Sequence, residues 1–136
     1  MTEVALGRFP SIFVRVKGSN SKVREYRALV DPVYEYCIVP KGDAYFFGHP
    51  EVAFQHMTVG PPNARALLTG GGFNKTVVFE VGSVEIGGLS FERVEFAAVD
   101  LPQEVGFEAV VGQSLLKHTS VTMDWERRVL RLSKAS

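Results

Sequence analysis

Apolar and polar positions along this chain alternate over short runs separated by turn residues, the pattern of strands and not of long helices. Ser11-Ile12-Phe13-Val14-Arg15-Val16 reads as a β-branched, partly alternating strand, Lys17-Gly18-Ser19-Asn20-Ser21 as a turn, and Glu25-Tyr26-Arg27-Ala28-Leu29-Val30 as the next strand. Together they predict a hairpin that ends at Asp31. Lys41 to Phe47 suits one or two helical turns, stopped by Gly48-His49-Pro50, because glycine fits a helix C-cap and proline blocks continuation. Residues 50–70 carry no clear period, and Gly60-Pro61-Pro62-Asn63 must be irregular. Strand patterns return at Thr76–Val81 and Val84–Ile86, and Gly87-Gly88 turns the chain into one half-buried antiparallel strand, Leu89–Val99. Leu101–Phe107 reads as a loop, Ala109–Gly112 as a short buried strand and Gln113–His118 as a small helix. Two last strands, Thr119–Asp124 and Arg128–Leu132, flank a turn at Trp125-Glu126-Arg127. Many short strands with one or two short helices imply a mostly-β barrel or sandwich.

Composition narrows the class without naming a function. A chain of 136 residues is most simply one domain, residues 1–136, long enough to bury a substantial core. Fifteen Lys and Arg balance fifteen Asp and Glu, so there is no electrostatic footprint for nucleic acid. The same neutrality lowers one barrier to self-association. Cys37 is the only cysteine, which excludes an intrachain disulfide and makes a reducing, cytoplasmic location the default. The first residues, Met1-Thr2-Glu3-Val4-Ala5-Leu6, lack the basic and apolar regions of a signal peptide. No apolar run reaches the ~20 residues of a membrane span. The expectation is therefore a soluble protein with no membrane partner.

The candidate chemistry centres on Ala28-Leu29-Val30-Asp31-Pro32-Val33-Tyr34-Glu35-Tyr36-Cys37-Ile38-Val39-Pro40, a strand that carries one carboxylate into a tight turn before a second apolar run. Two further motifs follow in order: Val110-Val111-Gly112-Gln113-Ser114-Leu115-Leu116, an apolar-apolar-glycine step into a short helix, and the hairpin Val121 to Leu132. In this order and spacing they resemble the retropepsin-like aspartic peptidases, single-domain proteins that work as homodimers. Leu29-Val30-Asp31 is similar to the start of the family's Asp-Thr-Gly-Ala segment, and Ile38-Val39-Pro40 to its end. Val84-Glu85-Ile86-Gly87-Gly88 also fits, and the likeness spans most of residues 9–132.

The resemblance implies a closed retropepsin-like (acid protease) barrel, a homodimer, a polypeptide substrate or peptide ligand, and Asp31 as the catalytic group, one from each subunit. It implies no metal and no cofactor. By position, Leu67 to Lys75 would form a flap with Gly70, Gly71 and Gly72 at its tip, and Val33 would join them against the substrate. The chain departs from the family at Pro32, which has neither the hydroxyl nor the N–H that locks the two active-site loops together across the dimer. Val33 replaces the family's glycine; it keeps an amide but adds a branched side chain. A non-catalytic dimeric module that retains the cleft is the alternative.

Plainer readings stand beside these. Asp-Pro is a common turn opener, so Asp31 on local sequence alone is a turn residue. Gly70-Gly71-Gly72 leads through Phe73-Asn74-Lys75-Thr76 into a strand, which does not make a phosphate loop. His49, His56 and His118 follow no metal spacing. Cys37 reads as a small buried thiol, Asp124 as a hairpin residue, and Glu92, Arg93 and Glu95 as a solvated sheet face.

Overall fold

The computed structural model describes residues 2–6, 10–49 and 77–135. Among these, eleven strands and two short α-helices form a mostly-β architecture. In chain order they are β1 (Thr2–Ala5), β2 (Ser11–Lys17), β3 (Val23–Val30), β4 (Cys37–Val39), α1 (Lys41–Phe46), β5 (Val77–Glu80), β6 (Ser83–Ile86), β7 (Leu89–Glu92), β8 (Glu95–Ala98), β9 (Ala109–Val111), α2 (Gln113–Leu116), β10 (Thr119–Asp124) and β11 (Val129–Lys134). A 3₁₀ turn, Gln103–Val105, breaks the loop before β9.

Eight strands make one curled, half-barrel sheet in the order β5-β8-β4-β9-β3-β2-β6-β7. Its alternation places Ile12, Val14 and Val16 of β2, and Tyr26, Ala28 and Val30 of β3, on one buried face. Phe13, Arg15 and Lys17 point out, as the period of two requires. Among the described residues the pairings run from β5 to β7 and do not join these two ends. A second sheet, β1-β11-β10, closes over the core with Leu130 and Leu132 buried.

The hairpin into Asp31, the helix after Pro40 and the closing hairpin all form where the pattern places them. Gly87 and Gly88 turn the chain between β6 and β7 with φ of 54° and 90°, a conformation suited to glycine. Two features differ from expectation. The run Leu89–Val99 is not one strand: Arg93 sits at φ 56°, and β7 pairs with β6 while β8 pairs with β5 and β4. The break falls where the alternation changes phase, Phe91 and Val94 being buried on either side of exposed Glu92-Arg93. The other is β1, which pairs with β11 from Thr2↔Leu132 to Ala5↔Val129 although no strand pattern marks it. Glu92, Arg93 and Glu95 are exposed, on the solvated side expected of them. No helix among the described residues is long and apolar enough to cross a membrane.

Candidate functional site

Asp31 stands at the end of a strand that is paired on both sides, with β2 and with β9. β3 pairs in parallel with β9 through Ala28↔Ala109, Leu29↔Val110 and Val30↔Val111, all in the sheet's interior. The Asp31 amide continues that ladder by donating to the Val111 carbonyl at 3.1 Å. Pro32 then ends the strand, because it has no N–H to offer a neighbour.

The turn folds back on the carboxylate. The Val33 amide donates to Asp31 Oδ1 at 3.0 Å, and the Tyr34 amide to the Asp31 carbonyl at 3.3 Å, the geometry by which Asp side chains stabilise turns. Among the described residues the non-glycine positions with positive φ are Ser21, Arg93 and Arg128, so valine meets no left-handed backbone here. Val33 is 46% exposed. Asp31 is half-buried between this exposed edge and the sheet.

Behind the turn, Tyr34 is buried with Ile38, Ala97, Val99 and Val110 in a second apolar cluster. Burial pushes the Tyr34 phenol above its ordinary range, and the neighbouring Asp31 charge acts in the same direction. The chain from Tyr34 to Tyr36 presses on Gly112 so closely that a Cβ there would lie 2.4 Å from the Tyr36 carbonyl oxygen and 2.7 Å from that of Tyr34. Only glycine permits this approach.

That contact lets the start of α2 brace the loop. The first amides of a helix have no partner inside it, and here the Gln113 and Ser114 amides donate to the Tyr34 and Glu35 carbonyls, each at 2.9 Å. The Ser114 hydroxyl accepts from the Cys37 amide at 2.9 Å and donates to the Glu95 carbonyl at 2.6 Å, tying β4 to β8. The Gln113 side chain donates from Nε2 to the Pro32 carbonyl at 2.6 Å.

Asp31 and Val33 are thus brought into one turn, whereas Gly70, Gly71, Gly72 and the expected flap, Leu67 to Lys75, lie outside the described residues. Gln113 and Ser114 are supports that motif reading passes over. Their signal was the pair of polar residues directly after an apolar-apolar-glycine step. Asp124 accepts from the Arg127 amide at 3.1 Å and so holds the hairpin turn. Cys37 is buried, and burial raises its thiol above the usual range. His118 is exposed, and the His49 ring packs 4.7 Å from that of Phe79. Beyond the end of β4 an open cavity of about 410 Å³ is lined by Pro40, Leu101, Pro102 and Phe107, with Asp100 and Glu108 at its polar side.

No family model matches the sequence, and no curated protein matches it. Among solved structures, the chain is similar to the crystal structure of a retropepsin-like aspartic protease from Rickettsia conorii, with a TM-score of 0.63 and 22% sequence identity. The match covers 96% of this chain and 87% of that one. At that identity and coverage the likeness speaks for architecture: the chain has a retropepsin-like fold.

Proposed function

We propose that this protein is a retropepsin-like aspartic endopeptidase or a close homologue of one, acting as a homodimer in which each chain contributes Asp31. The observation that carries the reading is the turn itself: a strand-end aspartate whose Oδ1 accepts the amide two residues on, 3.0 Å away, in a chain of this fold. The closed-barrel form and a flap tip built from Gly70, Gly71 and Gly72 belong to the same reading, with Val33 contacting the substrate backbone.

In the dimer the two Asp31 carboxyls meet at the two-fold axis. Like charges that close cannot both ionise, so the pair shares one proton and titrates as a unit. The ionised member takes a proton from water, which attacks the peptide carbonyl, while the protonated member polarises that carbonyl. This chemistry uses no covalent intermediate and no metal.

Pro32 supports a second reading, a non-catalytic dimeric peptide-binding or scaffold module. It supplies no hydroxyl and no N–H for a contact between the two loops. The deciding experiment compares wild type with Asp31→Asn on an unfolded protein substrate from acidic to neutral pH, with mass measured in solution. Cleavage that Asp31→Asn abolishes supports the peptidase. A stable wild-type dimer that binds peptide and cleaves nothing supports the module, and cleavage surviving in Asp31→Asn removes the mechanism.

A further inference from the structure

We propose that Gln113 is a positioning residue for Asp31, acting through the single peptide plane that joins Pro32 to Val33. The inference rests on the aspartic-peptidase reading for its catalytic meaning, but its geometry stands in one chain.

The peptide unit is planar, so the Pro32 carbonyl and the Val33 N–H are opposite edges of one rigid plate. One edge is held by Gln113 Nε2, 2.6 Å from the Pro32 oxygen. The other edge donates to Asp31 Oδ1 at 3.0 Å. Turning the carbonyl away from Gln113 therefore turns the amide away from the carboxylate. The facing group of Gln113 must be its NH₂, since a carbonyl oxygen can only accept.

Both ends of this linkage are anchored. The Gln113 backbone is fixed by its amide to the Tyr34 carbonyl at 2.9 Å and by its carbonyl, which accepts from the Lys117 amide at 2.9 Å. Gly112 allows α2 to sit this close to the loop. On the other side the proline ring fixes φ of Pro32, leaving the rotation that moves its carbonyl as the main freedom of the plate. Gln113 removes that freedom. Proline at position 32 forfeits a hydroxyl, yet with Gln113 it makes a loop whose shape is set within one chain, before any second copy arrives.

The test is amide hydrogen exchange by NMR on the full chain, with the Val33 amide as reporter and the Ile38 and Phe96 amides as internal references. Gln113→Met keeps the length of the side chain and removes the donor; Gln113→Arg restores a donor. Loss of one hydrogen bond predicts Val33 exchange roughly three- to tenfold faster in Gln113→Met, with the references unchanged and near-wild-type exchange in Gln113→Arg. In active protein the same substitution lowers kcat and leaves KM in place. Unchanged Val33 exchange in Gln113→Met, or acceleration shared equally by Ile38 and Phe96, overturns the proposal. If the exchange result holds while wild type cleaves nothing, positioning stands and the peptidase reading falls.

Discussion

Replacing Gly112 with alanine should damage this protein far more than one methyl group suggests. The added Cβ would lie 2.4 Å and 2.7 Å from two carbonyl oxygens, and both belong to backbone, which cannot rotate aside like a side chain. Gly112 has φ −107° and ψ −166°, extended values that alanine adopts freely, so the penalty is contact and not conformation. Overpacking of this kind costs about 1–3 kcal/mol. Separating the loop from α2 also weakens the Gln113–Tyr34 and Ser114–Glu35 bonds, each worth about 0.5–1.5 kcal/mol. Against this, replacing glycine stiffens the unfolded chain and returns about 0.4–1 kcal/mol. The balance is a loss of about 2–4 kcal/mol. Urea unfolding at matched protein concentration should show a midpoint lower by about 1–2 M, taking a slope of about 2 kcal/mol/M. An unchanged midpoint would refute the reasoning, because the loop would then have slack that these distances deny.

Two further outcomes follow from ion pairs away from the site. Asp43 accepts from Arg24 at 2.6 Å and from the buried Tyr26 hydroxyl, so Asp43→Ala should cost about 1–3 kcal/mol by leaving that hydroxyl without its acceptor. Tyr26→Phe in the same background should recover part of the loss in a double-mutant cycle, and strict additivity would count against the linkage. Glu3 of β1 pairs with Arg131 at 2.6 Å, and that hydrogen bond holds its carboxyl below the ordinary value of 4.5. A lowered folded value means stability that is present above 4.5 and lost as pH falls through the lowered value. The small advantage of wild type over Glu3→Gln should therefore be flat near neutral pH, fade in acid and shrink with added salt. An advantage that grew on acidification would contradict this sign.

What the sequence discloses depends on how far apart the partners are. The alternation of Ile12, Val14 and Val16 against Tyr26, Ala28 and Val30 is a local signal, because each strand buries one face, and it places the hairpin and Asp31 directly. Gly87-Gly88 and the Trp125-Glu126-Arg127 turn are legible for the same reason. β1 is not, since four residues with no strong pattern become a strand only by pairing with β11 at the opposite end of the chain. The split between β7 and β8 is written in Glu92-Arg93, two polar residues in succession that shift the phase, but a reading for overall alternation passes over it. At the site, the aspartate and its turn were readable, and the braces were not. Gln113 and Pro32 are separated by 81 positions, and nothing in either segment announces that a side-chain amide and a carbonyl will meet. At Val33 the amide that the sequence retains is the group the turn uses, since it donates to Asp31 Oδ1 at 3.0 Å.

The central claim is that one active site is shared by two chains. A subunit-mixing assay tests it most directly: a fixed amount of wild type is equilibrated with an equal amount of Asp31→Asn, and hydrolysis of an unfolded substrate is followed. Random pairing puts a quarter of the dimers in the wild-type form where wild type alone would supply half, so activity should fall to about half. Asp31→Asn alone should be inactive. Activity that Asp31→Asn leaves undiminished after complete subunit exchange would show that each chain acts by itself, and would contradict the shared dyad.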